Sequence, residues 1–365
     1  MMRAAILILS IIFLTSCGQD EKKSEAPPAE SPAVEKPAAE TPAVETVDTS
    51  FYVAVPEMAY PEDNPSSPEK VELGRLLYFD PRLSGDNSIS CSTCHAPEKG
   101  WSDGKPRAVG FGGKELGRHS PTVINSGYFA AQFWDGRVVT LEEQAKGPIQ
   151  APGEMNQKPD ELIKELSAIP EYKERFGQVF GDSGITLDNI AKAIAAFERT
   201  VVSKNSAYDK YVAGDKAAMS PAAVNGMTLF FGKAKCGICH NGPAFTDSKY
   251  HNIGVKQHGP LKEDLGRFNV SKDETDKGAF KTPGLRGVSL NAPYMHDGSE
   301  ATLTDVVNFY NRGGDVAEGR TALITPLELS DQEVSDLVEF LKALEGESIS
   351  SDMPALPGMT DADEK

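Results

Sequence analysis

The sequence is short of basic residues, with 37 Lys and Arg against 54 Asp and Glu among 365 residues and a formal net charge of −17. Nucleic-acid binding needs clustered Lys and Arg to neutralise phosphates, so this balance argues against a nucleic-acid partner. Long hydrophobic runs are scarce too. After residue 14 no segment approaches the roughly 20 apolar residues that span a bilayer. The length is typical of about two domains, each large enough to bury a core.

Cysteine is equally rare, and its positions are informative. Four of the five cysteines form two CxxC pairs, Cys91/Cys94 and Cys236/Cys239, and the fifth is Cys17. No cysteine is left over for a free thiol or for a disulfide framework. This excludes a scaffold held together by disulfides.

The N-terminal segment predicts export and anchoring. Arg3 precedes an apolar stretch over residues 4–14, which is too short to span a bilayer and is typical of a signal peptide. The stretch ends in Leu14-Thr15-Ser16-Cys17, which resembles the lipobox of bacterial lipoproteins. An ordinary signal peptide followed by an incidental Cys is the alternative. We expect a signal peptide over residues 1–16 and a lipidated Cys17, hence a periplasm-facing lipoprotein that meets a bacterial membrane only through its lipid.

Two further segments are predicted to lack stable structure. Residues 17–50 are rich in Pro, Ala and Glu, in near-repeats such as SPAVEKPAAETPAVET, and contain no aromatic residue. Such a composition cannot bury enough surface to offset its ordering entropy, which predicts a disordered tether. A flexible tail is expected over residues 351–365.

The intervening part contains a diverged internal repeat. Gly74 and Gly226 each open the pattern Gly-x-x-Leu-aromatic-Phe ahead of a CxxCH motif. Each half also ends in a predicted amphipathic helix, capped by Thr186 in the first half and by Ser330 in the second. The first cysteine of the motif precedes this cap by 95 residues in one half and by 94 in the other.

The segments between these landmarks are Gly- and Pro-rich loops and short helices, with few alternating runs. The predicted fold class is therefore mostly α. We place one domain over residues 51–205 and the other over residues 206–350.

Both CxxC pairs continue into a histidine, His95 and His240. Two cysteines three apart can add across the two vinyl groups of a haem while the adjacent His reaches the iron, and C-x-x-C-H is the attachment signature for haem c. A four-cysteine zinc site usually separates its pairs by about 15–20 residues, whereas 141 residues separate Cys94 from Cys236. A thioredoxin-like dithiol would need a βαβ setting. The spacing predicts two covalently bound haems c with His95 and His240 as proximal ligands.

Further motifs occur at matching distances along the chain. They are Ser120-Pro121-Thr122, the run QFWDGR over residues 132–137, Gln144, Glu154-Met155-Asn156, Lys281-Thr282-Pro283 and the run APYMHDG over residues 292–298. With these motifs, the sequence from about residue 56 to residue 345 resembles the bacterial di-haem cytochrome c peroxidase and MauG superfamily. The resemblance implies two tandem cytochrome c-like domains whose haems face an interdomain cleft, and reduction of hydrogen peroxide to water.

The resemblance also implies residue roles. The haem on His95 would be peroxidatic, the haem on His240 would relay electrons, and Trp134 would form the bridge between them. Glu154 matches the distal acid of the peroxide pocket, where a carboxylate can move a proton between the peroxide oxygens. Gln144 would orient peroxide or water there. Judged without the resemblance, Trp134 could be a core indole and Glu154 a solvated surface residue.

Two departures from the family pattern concern the peroxidatic haem. Phe111 stands where many family peroxidases have a loop His that ligates the resting iron, so this haem is expected to be permanently open. His119, the nearby alternative ligand, stands at the position of an Asn that helps to bind an interhaem calcium ion with the backbone carbonyls of Asn291 and Pro293. Because calcium prefers oxygen ligands, whether one calcium ion binds stays open.

A further departure concerns the far ligand of the C-terminal haem. Tyr310 stands where family peroxidases carry Met and where MauG-type proteins carry Tyr. A phenolate stabilises ferric iron and lowers the potential. Met295 is the alternative ligand, and a buried aromatic on a helix is the structural alternative for Tyr310. Ala234 stands where MauG has the surface Trp used for oxidation of a protein substrate.

Three functions follow as hypotheses. The first is a peroxidase that takes electrons from a small cytochrome c or a cupredoxin. The second is a MauG-like oxidase that modifies a protein or an organic molecule. The third is a non-enzymatic di-haem electron carrier, against which Glu154, Gln144 and the missing ligand at Phe111 argue, because a carrier benefits from two saturated irons. A homodimer is compatible with each of them.

Overall fold

The computed structural model of the chain describes residues 55–349 and 352–359. The expected signal peptide, the lipidated Cys17 and the tether lie outside the described residues. Within the described ranges, no helix combines the length and the apolar character needed to cross a bilayer.

The described chain is mostly helical, as predicted. Its α-helices are α1 Pro68–Phe79, α2 Cys91–Cys94, α3 Leu141–Gln150, α4 Pro159–Ser167, α5 Pro170–Phe180, α6 Leu187–Glu198, α7 Ala207–Val212, α8 Pro221–Phe231, α9 Phe268–Ser271, α10 Leu303–Asn311 and α11 Asp331–Lys342. Two short strands, β1 Tyr250–His251 and β2 Phe280–Lys281, pair antiparallel with Tyr250 opposite Lys281. Loops and short 3₁₀ turns make up the remainder.

Each half of the repeat buries a hydrophobic core of its own. The first core packs α1 against α6 and runs to Val201 in the first half of the chain. The second core packs α8 against α11 and begins at Tyr208. Both cores lie in one compact unit of the chain.

The repeated glycine is a packing requirement. A Cβ atom at Gly74 would lie 1.9 Å from the carbonyl oxygen of Ala193 on α6, and a Cβ atom at Gly226 would lie 1.9 Å from that of Asp336 on α11. Only a residue without a side chain allows the two helices of each pair to approach this closely. The pattern Gly-x-x-Leu-aromatic-Phe therefore marks the helix that crosses the last helix of its half.

Both predicted helix caps are confirmed. The Thr186 side chain accepts a hydrogen bond from the backbone N–H of Asn189, and the Ser330 side chain accepts one from that of Glu333. The Glu333 side chain also accepts from the backbone N–H of Ser330, which completes a capping box. The nearly equal spacing from motif to cap, 95 and 94 residues, thus reflects two copies of one arrangement.

The halves meet through equivalent segments. The backbone N–H of His119 donates to the carbonyl of His296 (2.8 Å), and the backbone N–H of Lys281 donates to the carbonyl of Trp134 (2.8 Å). His119 and Lys281 each precede the Ser/Thr-Pro pair of their half, while Trp134 and His296 each precede Asp-Gly. The contact is therefore reciprocal. It brings the rings of Trp134 and His296 to a centroid distance of 6.5 Å.

An ion network reinforces this contact. Arg118 of the first half donates to both carboxylate oxygens of Asp264 in the second half, at 2.6 and 2.8 Å, and to Asp135 at 2.8 Å. Arg267 of the second half donates to the backbone carbonyls of Asp135 and Gly136. Because Asp264 is buried and has no other cationic partner among the described residues, loss of Arg118 would leave its charge uncompensated, whereas Asp135 would keep its ion pair with Arg137.

The C-terminal segment corrects one prediction. Residues 352–359 fall in the tail that we expected to be flexible, yet Leu356 is buried in the first core. Arg82 donates to the carbonyl of Pro357 (2.9 Å), and just before the segment the Trp101 indole donates to the carbonyl of Ile349 (3.0 Å). Residues 352–359 are therefore held against the first half by the burial of Leu356 and by the Arg82 hydrogen bond, contacts that composition does not reveal.

The helix crossing yields a stability prediction. Gly226→Ala should lower the free energy of unfolding by about 1–3 kcal/mol, the usual cost of overpacking, because the new methyl group has no space against Asp336. Gly177→Ala, on α5 with no atom near its would-be Cβ, is the control and should be neutral or stabilise by up to about 1 kcal/mol. Denaturant unfolding measures both. Equal stability of the two variants would contradict the close crossing.

Candidate active site

A cavity of about 760 Å³ is lined mostly by the second half and is closed on one side by first-half residues, among them His119, Phe129 and Trp134. We call it the cavity of the second half. Its volume falls in the range of about 300–1,000 Å³ that is usual for small-molecule and cofactor sites. The second CxxCH motif contributes Cys236, Cys239 and His240 to the wall, and Tyr310 and Met295 line the same cavity. The structure therefore brings together the predicted attachment residues and both candidate far ligands.

His240 is prepared to act as a metal ligand. Its Nδ1 lies 3.0 Å from the carbonyl oxygen of Phe245. A carbonyl only accepts, so Nδ1 carries the proton and Nε2 keeps a free lone pair. Burial lowers the pKa of His240 against the opposing effect of the Phe245 carbonyl, which keeps the ring neutral. A neutral, oriented imidazole is the form that binds iron.

The first motif adopts the same turn. The backbone N–H of His95 donates to the carbonyl of Cys91 (3.0 Å), and that of His240 donates to the carbonyl of Cys236 (2.9 Å). Burial lowers the pKa of His95, while the nearby carbonyls of Pro121 and Trp101 favour a proton on the ring. Phe245 and Pro283 provide the equivalent carbonyls around His240. The two histidines thus have similar carbonyls nearby but differ in one respect, because the buried Nδ1 of His95 makes no hydrogen bond in the described part of the chain, whereas that of His240 does.

The thiols are held in their neutral form. Burial raises the pKa of Cys94 to about 11 and that of Cys236 to about 12. Reactive dithiols and zinc ligands are thiolates, which this environment disfavours. Among the described residues, the one group of metal-ligand side chains is Cys239, Asp247 and His251, and no group joins the two CxxC pairs. Because the two CxxC pairs do not come together among the described residues, the structure argues against the four-cysteine zinc alternative, and haem attachment fits the residues present.

Tyr310 and Met295 are the two residues predicted as a second ligand for the C-terminal haem, and both lie in the cavity that contains His240. Tyr310 lies in the last turn of α10, and burial raises the pKa of its phenol. Its hydroxyl makes no hydrogen bond within the described part of the chain. Met295 lies in the turn that contacts the first half, with a positive φ of 71°. Both side chains line the cavity, so both remain candidate ligands.

The equivalent position in the first half is Pro148. Thr140 caps α3 and Thr302 caps α10, and the eighth residue after each cap is Pro148 in the first half and Tyr310 in the second. Proline has no donor atom for a metal. The first half therefore offers no side-chain ligand where the second offers a phenol.

Phe111 is the other residue of the first half that stands where a ligand to the iron was considered. Its ring packs against the first core, and its backbone N–H donates to the carbonyl of Glu154 (2.8 Å). The loop that in many family peroxidases would carry the ligating His is thus tied to the turn that carries the predicted acid. Neither Phe111 nor Pro148 can bind iron.

Glu154 is half-buried, which argues against its interpretation as a solvated surface residue. Burial raises the pKa of its carboxyl, and Arg137 opposes the shift. The carboxylate makes no hydrogen bond within the described residues. Arg137 itself is held by Asp135 (3.1 Å) and by the Phe133 ring, 3.4 Å from its guanidinium carbon. An unbonded acid with a raised pKa is suited to proton transfer.

Gln144 lies on α3, one turn before Pro148 and on the same helix face. Its side chain is half-buried and makes no hydrogen bond in the described part of the chain, so its amide is available to a ligand. Neither Gln144 nor Glu154 lines the cavity of the second half. The structure therefore separates the predicted peroxide residues from the second CxxCH site.

Trp134 lies between these regions. Its indole N–H donates to the carbonyl of His119 (2.9 Å), and its ring lines the cavity of the second half. It belongs to neither hydrophobic core, whereas Trp101, 1% exposed, is the tryptophan of the first core. This location argues against a core indole and suits a bridge.

The calcium prediction gains no support. His119 lines the cavity together with Asn291 and Pro293, but its Nδ1 faces the carbonyl of Lys105 (2.7 Å) and its Nε2 faces the Ser102 hydroxyl (3.4 Å). The Asn291 amide donates to the carbonyl of Gly100 (2.6 Å). Calcium binding at these residues stays a prediction.

Comparison with known proteins identifies the family of the chain. Residues 68–217 match the family described as di-haem cytochrome c peroxidase. Methylamine utilization protein MauG from Methylorubrum extorquens is 42% identical over 299 residues, which cover 82% of this chain and 84% of that protein. Cytochrome c551 peroxidase from Nitrosomonas europaea is 40% identical over 294 residues, 80% of this chain and 85% of that protein. The chain belongs to the di-haem cytochrome c peroxidase family. Two haem cofactors are thereby implied.

A solved structure supports the same family assignment. The crystal structure of a MauG-like protein associated with microbial copper homeostasis superposes with a TM-score of 0.75 at 35% identity, covering 80% of this chain and 94% of that one. The family resemblance inferred from the motifs is confirmed.

Some residues of the candidate site were given no role by the sequence analysis. Pro148 was not predicted, and Arg137 and Lys281 stood only within the quoted motifs, with no role of their own. Pro148 and Lys281 follow from aligning the two halves beyond the CxxCH motifs. Thr140 with Thr302, and Ser120-Pro121 with Thr282-Pro283, are the landmarks that would have placed them.

The competing ligands give a spectroscopic prediction. Tyr310→Met should raise the midpoint potential of the C-terminal haem, because a thioether stabilises ferrous iron relative to a phenolate, and should produce the near-infrared band of His/Met ligation. Tyr294→Phe, which removes a second cavity hydroxyl bonded to Val288 (3.1 Å), is the matched control and should leave the potential unchanged. A His/Met band in the unmodified protein would make Met295 the ligand instead.

Proposed function

We propose that this protein is a di-haem peroxidase that reduces hydrogen peroxide to water with electrons from a small redox protein, a cytochrome c or a cupredoxin. The observation that carries the proposal is the first half of the chain. There Phe111 and Pro148 stand at the positions from which a side chain could ligate the iron, next to an acid, Glu154, with no hydrogen bond.

Each CxxCH motif would hold one haem c through two thioethers, with His95 and His240 as proximal ligands. When bound, the haem irons supply the redox chemistry that takes two oxidising equivalents from peroxide. The proposed arrangement is two cytochrome c-like domains, residues 51–205 and 206–350, facing a cleft. The reciprocal backbone contact between the halves supports it.

Glu154 moves the proton. As a carboxylate it accepts a proton from one peroxide oxygen and returns it to the other, which leaves as water. The overall reaction, H₂O₂ + 2 H⁺ + 2 e⁻ → 2 H₂O, balances with two electrons from the donor. The amide of Gln144, on α3, would orient peroxide. Arg137 stabilises the ionised form of Glu154 and thereby keeps a fraction of it ready as a base.

Trp134 is the proposed bridge for electrons. It lines the cavity of the second half while its indole N–H is bonded to the first half, at His119. The ion network of Arg118, Asp135 and Asp264 restrains the turn that carries it. Its position would therefore be the same in each catalytic cycle.

A MauG-like oxidase is the second candidate, and Tyr310 in the cavity favours it. Ala234, 5% exposed, opposes it, because it replaces the surface Trp that serves oxidation of a protein substrate. Steady-state peroxide turnover with reduced cytochrome c as donor separates the two. Anchoring through Cys17 to a membrane, on the periplasmic side, remains part of the proposal.

Removal of the acid gives a direct prediction. Glu154→Gln should reduce peroxide turnover by about 10²- to 10⁴-fold, the usual contribution of general acid–base catalysis, with both haem spectra preserved. Glu161→Gln, an exposed acid on α4, is the control and should keep full activity. A loss of peroxide turnover of less than about threefold in Glu154→Gln would show that Glu154 is a surface residue with no catalytic role.

The raised pKa of Glu154 gives a pH prediction. The base must be ionised, so kcat/KM for peroxide should fall as the pH falls through the raised pKa of Glu154. The acidic limb of this pH profile should lie at a pH above the usual glutamate pKa of about 4.3. Arg137→Gln removes the opposing charge and should move the limb to still higher pH. An unshifted limb in the Arg137 variant would show that Glu154 does not control it.

A further inference from the structure

Lys281 is a buried cation without a counter-ion. It is 8% exposed, and burial lowers the pKa of its amine to about 8. Its Nζ lies 3.5 Å from the carbonyl of Thr282 and 4.5 Å from the centroid of the Phe129 ring. No carboxylate of the described residues pairs with it.

The other buried cations of the described chain are partnered. Lys70, 7% exposed, donates to the Asn64 side chain (3.0 Å) and to the carbonyl of Pro65 (2.6 Å). The buried guanidinium groups pair with carboxylates at 2.6–2.8 Å, as Arg82, Arg199 and Arg286 show. Burying an ammonium group without such a partner is costly. The exception at Lys281 therefore points to a partner outside the protein chain.

The position of Lys281 indicates where that partner lies. Its side chain lines the cavity that also contains Cys236, Cys239 and His240. Its backbone is fixed by β2 and by the hydrogen bond to the carbonyl of Trp134. The charge is thus held at the wall of the second haem site, on the side that contacts the first half.

The first half has no such cation. The equivalent residue is His119, whose ring nitrogens face Lys105 and Ser102 and whose pKa is lowered by burial. His119 also lines the cavity, so at these two equivalent positions a neutral ring and an ammonium group differ in charge. Two haems with the same attachment motif would therefore meet different electrostatic environments.

We propose that Lys281 forms an ion pair with a propionate of the C-terminal haem and raises the midpoint potential of that haem alone. The inference rests on the proposed binding of haem by the second CxxCH motif. Haem carries two propionate groups, which are the anions such a cavity would receive. A nearby positive charge favours the ferrous state, which has one positive charge fewer than the ferric state. Lys281 would thus oppose the lowering effect of a Tyr310 phenolate.

The test compares three variants of the full-length holoprotein. Lys281→Met removes the charge, Lys281→Arg keeps it, and Lys262→Met removes a cavity-lining charge from an exposed position. Haem content per chain is measured first, in the unmodified protein. Absence of covalent haem at Cys236 and Cys239 there would refute the proposed function itself, before any variant is examined.

Spectroelectrochemical titration at pH 6.5 then gives both midpoint potentials. Lys281→Met should lower the potential of the C-terminal haem so that its ferric-to-ferrous ratio changes roughly tenfold, about 59 mV for one electron, with the N-terminal haem unchanged. Lys281→Arg and Lys262→Met should match the unmodified protein. Loss of the C-terminal haem from Lys281→Met, with retention in Lys281→Arg, would equally support the ion pair.

Other outcomes overturn the proposal. An unchanged potential in Lys281→Met with both haems bound would show that the ammonium group has no propionate partner. Equal shifts in Lys281→Arg and Lys281→Met, or loss of haem from both, would assign Lys281 a packing role. Equal shifts at both haems would show a general effect on the protein.

Discussion

Two backbone hydrogen bonds, from His119 to His296 and from Lys281 to Trp134, join the halves of this protein at equivalent points. The site depends on this contact, because each residue in it has a second task at the cavity or between the halves. Trp134 reaches the cavity of the second half, and Lys281 presents its amine to the same cavity. The buried Arg118–Asp264 pair adds a charge interaction across the contact that would be expensive to break on one side only.

The repeat supplies one scaffold, and a few substitutions on it create two different sites. Pro148 stands where Tyr310 stands, His119 where Lys281 stands, and Trp134 where His296 stands. In each pair the backbone role is shared and the side-chain chemistry differs. Under the proposed function, the two halves would divide the reaction, with an open site for substrate in the first half and a charged site for electrons in the second.

The features predictable from the sequence were local ones. The CxxCH turns, the caps at Thr186 and Ser330 and the crossing glycines depend on short spacings, which a single chain displays directly. The remaining features depend on residues far apart in the chain. Arg118 and Asp264 are separated by 146 residues and Leu356 reaches the first core from the far end of the described chain. No local sequence pattern predicts such contacts, because a charged or apolar residue has the same neighbours in sequence whether or not a distant partner exists.

The first half also shows what an open site costs in stability. A half-buried carboxyl without a hydrogen bond is unfavourable, because burial penalises its ionised form. A side-chain donor at Phe111 could satisfy Glu154 or ligate the iron, and either would stabilise the resting protein. The sequence has instead a phenylalanine and a proline at the two positions where such a donor could stand. With haem bound as proposed, the acid would stay free and the iron accessible, which is the combination that peroxide reduction requires and that an electron carrier would not keep.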